Sequence, residues 1–155
     1  MVGKFWSCMK SLRELDIVIP PSRKFDPLKV LGACGTQITH LTLRKGPIDF
    51  STVSVILSLA SHLLYIQFTL LLQKADMSID GINPWRSNRL TEMIVNWTNI
   101  PLSTEILIDD RFFWSRVRAE NFPRLRKCVT ISCENGIPSY RSLLPLNWKQ
   151  EYQDN

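Results

Sequence analysis

Apolar residues return along this chain in a short, repeated frame. Leu12-x-x-Leu15-x-Ile17 is followed by Ile38-x-x-Leu41-x-Leu43 and then by Leu63-x-x-Ile66-x-Phe68. A fourth copy is Leu90-x-x-Met93-x-Val95, and a looser fifth uses Leu125, Val129 and Ile131 with one extra residue in its spacing. The step from Leu15 to Leu41, to Ile66 and to Met93 is nearly constant, and a period of about 26 residues has room for a strand, a turn and a short helix. Side chains two apart in a strand share a face. The last two apolar positions of each frame therefore point to a core, and the polar residues between and around them point away. One such unit cannot bury its apolar face without a neighbour.

The segments between the frames carry helix signals. Asp26-Pro27 ahead of Leu28, Val30 and Leu31 reads as an N-cap with proline at the first helical position, and Gly35 as the C-terminal stop. Ser51 is expected to cap a second helix bearing Val53, Ile56, Leu57 and Ala60. Asp110 is expected to cap a third, Arg111 to Asn121, ended by Pro123. Asp80-Gly81 and Asn83-Pro84 mark turns between the third and fourth frames.

Leu28-Lys29-Val30-Leu31-Gly32-Ala33-Cys34-Gly35 followed by Gln37-Ile38-Thr39-His40-Leu41-Thr42-Leu43 resembles the leucine-rich repeat region of F-box-type substrate receptors, where a helix ending in a Cys-Gly-like turn leads into an L-x-x-L-x-L strand. Phe122-Pro123-Arg124-Leu125 has a similar look at the last strand. The resemblance spans roughly residues 12–131. It implies an α/β chain: a short leucine-rich repeat solenoid of four to five units over residues 1–135, with parallel strands on the concave face, helices or irregular segments on the convex face, and a cap and polar tail over 136–155. It also implies a protein-interaction module serving substrate recognition in a ubiquitin-ligase complex. The chain departs from the pattern in two ways. No Leu-Pro pair opens an N-terminal F-box, and Leu43 is followed by Arg44, Lys45 and Gly46 where an Asn or Cys is usual.

If this register holds, the strands present Glu14 and Asp16, then His40, Thr42 and Arg44, then Tyr65, Gln67 and Thr69 on one concave face. Ile94, Asn96, Thr130 and Ser132 would extend it. Extended recognition is the common use of such a face, and Tyr, His and Arg suit an interface.

Two other functional classes arise from particular stretches. Val53 to Leu72 holds no Asp, Glu, Lys or Arg, and a run of about 20 residues has the length of a membrane span. Against that reading, His62 and Gln67 sit near its middle, and its pattern turns from helical spacing to strict alternation at Leu64. A helix followed by a strand is expected instead. The net charge is +5, and the segment 111–127 is strongly basic, with Glu120 as its one acidic residue. Within that run Arg116, Arg118, Arg124, Arg126 and Lys127 could meet nucleic acid through its phosphates. The plainer reading is a solvated helix face.

The four cysteines (Cys8, Cys34, Cys128 and Cys133) are too few and too scattered for a disulfide framework or a zinc set, and suit a reducing cytoplasmic or nuclear setting. Cys34 reads as a small buried hydrophobe. Neither G-x-S-x-G, H-E-x-x-H nor a phosphate-binding Gly-rich loop occurs. Asp109-Asp110 reads as a helix cap rather than a cation site. No enzymatic activity, cofactor or metal is expected, and the expected partner is a protein.

Overall fold

The computed structural model describes residues 11–71, 85–97, 117–134 and 137–142. Among the described residues six strands and two α-helices follow one another as β1 (Glu14–Ile19), α1 (Pro27–Cys34), β2 (His40–Ile48), α2 (Phe50–Leu59), β3 (Tyr65–Leu70), β4 (Glu92–Trp97), β5 (Lys127–Glu134) and β6 (Ile137–Ser142). They form one sheet whose strand order equals the chain order. The first five strands are parallel, and β6 turns back antiparallel on β5. The class is therefore α/β.

The repeated frame sets the register. Leu15, Leu41, Ile66, Met93 and Cys128 pair across five strands as one continuous row. The frame's earlier position is buried at Ile38, Leu63, Leu90 and Leu125, and its later one at Leu43, Phe68 and Val95. Each fully buried Leu, Ile or Phe is worth about 1.5–3 kcal/mol. The fifth frame is thus Leu125-x-x-Cys128-x-Thr130, with the same spacing as the others. Val129 and Ile131, expected to face the core, fall in the opposite rows. Two apolar β-branched residues outweighed one cysteine in the sequence, although cysteine is among the most readily buried types.

A repeated hydrogen-bond device starts each parallel strand after β1. The carbonyls of Arg13, Thr39, Leu64 and Thr91 each accept from two successive main-chain N–H groups of the next strand, at 2.7–3.1 Å. The donors are Thr39 and His40, Leu64 and Tyr65, Thr91 and Glu92, and Arg126 and Lys127. The hydroxyls of Thr39 and Thr91 add a third contact to the carbonyls of Arg13 and Leu64 (3.2 and 2.9 Å). Register is therefore fixed by the main chain as well as by the side-chain rows.

The helices form where expected, but their ends differ in detail. Asp26 caps α1 by accepting from the Leu28 N–H at 3.1 Å, with Pro27 at the first helical position. Asp49, not Ser51, caps α2. Its carboxylate accepts from the Thr52 N–H at 2.7 Å, and the Ser51 hydroxyl donates to it at 2.8 Å. Partial burial would raise the Asp49 pKa, but the main-chain and side-chain hydrogen bonds from Thr52, that from Ser51 and the charge of Lys24 outweigh it and hold the carboxyl below its usual range. A lowered folded-state pKa stabilises the fold at neutral pH, and the gain is lost as pH falls through that value. Asp49→Ala is expected to cost about 1 kcal/mol at pH 7. In urea titrations at pH 7 and pH 3, its deficit against the native chain should shrink at the lower pH.

The charge-free run 53–72 is divided between α2 and β3, with the break at residues 60–64. Among the described residues no helix is long and apolar enough to cross a membrane. The helix expected at Arg111 to Asn121 is not seen at its described end. Ala119–Asn121 make a single 3-10 turn ahead of β5, and Arg111 to Arg116 lie outside the described residues. Strand β6 lies within the segment 136–155 expected as cap and tail, of which 143–155 lie outside the described residues.

One irregularity interrupts the ladder. Thr42 pairs with Gln67 but Pro47 pairs with Thr69, so β2 takes a longer path than β3 at this point. The detour runs through Lys45, whose φ of 71° lies in the left-handed region. Gly46 completes it against β1, where a Cβ would collide with Ile19 Cγ2 and stand 2.9 Å from the Ile19 carbonyl oxygen.

Candidate binding face

Both helices pack on the side of the sheet that holds the buried rows, in a single core cluster with them. Among the described residues no element covers the other side. Parallel sheets usually have both faces covered and read as continuous apolar runs. Here the strands alternate, so β3 reads half-buried, buried, half-buried through to Leu70. The uncovered side is the candidate face.

Its rows are set by the same register. The first runs Glu14, His40, Tyr65, Glu92 and Lys127, and the second Asp16, Thr42, Gln67, Ile94 and Val129. Arg44, Thr69, Asn96 and Ile131 continue outward positions further along their strands. Glu14, Asp16, His40, Thr42, Arg44, Tyr65, Gln67, Thr69, Ile94 and Asn96 are brought together as expected. Thr130 and Ser132 were also expected there, and of these two only the backbone register is described. They pair with Val95 and Trp97, one residue out of phase with the outer rows, for the reason that moved the fifth frame. Glu92, Lys127, Val129 and Ile131 were missed as members of this face. Glu92 precedes Met93 as Glu14 precedes Leu15, and that equivalence was available in the sequence.

Arg44 Nε lies 2.9 Å from both Asp16 carboxylate oxygens, and its Nη2 lies 2.7 Å from Oδ2. The hydrogen bond and charge of Asp16 push the already high Arg44 pKa further up. The His40 and Tyr65 rings stack across β2 and β3, with centroids 5.8 Å apart and planes at 25°. The Tyr65 hydroxyl donates to Gln67 Oε1 at 2.8 Å. Burial first, and the nearby charge of Glu92 second, raise the Tyr65 pKa, while Arg44 opposes them. Glu92 and Lys127 form an exposed pair at 3.5 Å. Over β1 to β3 the surface sinks into an open depression of about 300 Å³, lined by Glu14, Leu15, Asp16, His40, Thr42 and Tyr65.

The basic run does not make one helix face. Arg118 enters the 3-10 turn and lies 3.8 Å from Glu120, while Arg124 and Arg126 are exposed in the lead-in to β5. Lys127 belongs to the outer sheet face, and Arg116 lies outside the described residues. His40 lies in the aromatic stack, with its Nδ1 2.9 Å from the Thr39 hydroxyl, and His62 is exposed after α2. Cys34 is fully buried and its thiol donates to the Val30 carbonyl at 3.2 Å. Burial raises its pKa, and raises that of Cys128 to about 12, so neither is a thiolate at neutral pH. Among the described residues no three His, Cys, Asp or Glu side chains gather as a metal site.

No family model, no curated protein and no solved structure matches the chain.

Proposed function

We propose that the chain is a short leucine-rich repeat solenoid acting as a protein-recognition module, with its partner lying across the outer face of the sheet. The observation that carries this reading is the parallel sheet itself. Its helix side is closed by apolar rows, while its other side is uncovered among the described residues and bears an aromatic pair, half-buried Ile94 and Asn96, and ordered charges. Sequential strand order and a nearly constant frame are what stacked repeats require. The likeness to F-box-type receptors makes the partner a substrate delivered to a ubiquitin ligase. Binding, not catalysis, is the proposed role.

The test is quantitative affinity capture with the native chain and with a Tyr65→Ala, Ile94→Asp double variant. Truncating a central aromatic and placing a charge in the middle of the face should reduce recovery of the specific partners by about 30-fold. Both sites are half-buried on the outside of the sheet, so circular dichroism should remain native-like. An unchanged partner list from the folded variant would end the outer-face reading. A ubiquitin-ligase adaptor retained by both proteins would support the delivery role, and its absence from both would count against that part.

A further inference from the structure

The depression over β1 to β3 has a chemistry of its own within that face. Tyr65 covers one face of the His40 ring. On the other flank of His40 lies β1, where its register partner is Glu14. Glu14 is exposed and has no ion-pair partner among the described residues, whereas Asp16 is already held by Arg44. Leu15, whose side chain belongs to the buried row, and Thr42, beside Asp16, complete the lining. A flat cation laid against His40 would continue the ring stack across the sheet and meet the Glu14 carboxylate at its edge. Planar guanidinium suits both contacts, stacking on rings and pairing with carboxylates in a way that the compact ammonium of lysine does not. The Arg44–Asp16 pair beside the depression shows the carboxylate side of that chemistry within the chain itself. The charge is also local: Asp16 is matched by Arg44, but Glu14 leaves the lining one uncompensated carboxylate among the described residues, although the chain as a whole is +5. A cationic ligand is therefore drawn to this spot and repelled by the protein at large.

We propose that this depression receives the side chain of an arginine presented by a basic segment of the partner protein. The inference rests on the outer face being the recognition surface.

The test is a titration of the isotope-labelled full chain with acetyl-Gly-Arg-Gly-amide, followed through its amide resonances. The expected result is saturable shifts at Asp16, His40 and Thr42 with a dissociation constant on the order of 1 mM. The lysine tripeptide should bind more weakly, and the neutral citrulline tripeptide should leave the spectrum unchanged. Glu14→Gln, an exposed and nearly isosteric change, should weaken arginine binding by about threefold with the rest of the spectrum intact. Arg44→Ala should strengthen it, because it removes a like charge and releases Asp16. Equal shifts from the citrulline peptide, no saturable shifts, or weaker binding by Arg44→Ala would each overturn the proposal. If partner capture by Glu14→Gln equals that of the native chain while the Tyr65→Ala, Ile94→Asp variant loses it, the arginine site fails and the recognition face stands. If all three proteins capture alike, both fail.

Discussion

Replacing Phe68 by alanine is expected to remove about 3–5 kcal/mol of stability. Phe68 has no solvent exposure and lies on β3 where β2 makes its detour, between the pairs Thr42–Gln67 and Pro47–Thr69. Its ring meets Trp85 edge-on, with centroids 6.1 Å apart and planes at 77°. Trp85 in turn stacks on Phe50 at 5.3 Å and donates its indole N–H to the Phe50 carbonyl at 3.1 Å. The three rings join β3, the first turn of α2 and the approach to β4. A cavity in place of the phenyl ring would be bounded by an indole that is stacked and hydrogen-bonded, so it could not relax inward, and the cost should fall in the upper half of the range. Total stabilities of about 5–15 kcal/mol make this a large share of the whole. Urea denaturation followed by tryptophan fluorescence measures it. A loss under about 1 kcal/mol, the size of an ordinary surface change, would mean that this aromatic junction does not hold the fold as described.

The second large effect is expected at Gly35, with a sign that ordinary helix-end reasoning would invert. Gly35 sits at φ −57° and ψ −36°, ordinary right-handed values that alanine adopts freely. Judged by its own backbone, Gly35→Ala should gain stability by reducing the freedom of the unfolded chain. The neighbours forbid it. A Cβ there would stand 2.6 Å from the Leu31 carbonyl oxygen and 2.7 Å from that of Leu59. Both are main-chain atoms, and Leu59 is the last residue of α2, so the two helices would have to separate. A loss of about 1–3 kcal/mol follows. Gly32, within α1, is the control. Nothing lies within 4 Å of a Cβ built there, and Gly32→Ala should gain about 0.5–1 kcal/mol. Thermal melts of the two single variants moving in opposite directions would bear this out, and a gain at Gly35 would refute the close approach of the helices.

These two glycines show what kind of information the sequence carried. Gly35 was readable as a helix end, but its reason for being glycine is the Leu59 carbonyl, at the far end of a different helix, which no local pattern encodes. The frame from Leu12 to Val95 was legible because burial on one side of a parallel sheet repeats at a fixed chain distance, and the change of period at Leu64 separated α2 from β3. The detour in β2 was not legible. Arg44, Lys45 and Gly46 look like the polar end of a strand, yet the strand resumes at Pro47 after a left-handed residue. The fifth strand was found but misphased, because Val129 and Ile131 present more apolar surface than Cys128. Strand β6 was hidden by Pro138 within its run, since proline weighs against a strand except at an edge, and among the described residues β6 has a partner only on its β5 side. Of the outer face, the positions carried by the frame were placed correctly through Asn96. The errors at Thr130 and Ser132 are the same phase error counted again. The basic run is a different case. Its described residues are close in sequence but divide between a turn, a connecting segment and a strand.

The order of the strands bears on how the molecule is made. Each of β2, β3 and β4 finds its partner one frame earlier in the chain, and β5 reaches back only a little further, to β4. A nascent chain emerging from a ribosome therefore never waits for sequence still to be synthesised before its newest strand can dock. Loops of similar length close at similar entropic cost, so β1, α1 and β2 can form a seed to which each later segment adds. The antiparallel return of β6, with its partner immediately before it, is the last such step among the described residues and the shortest in reach. Assembly would run in the direction of translation.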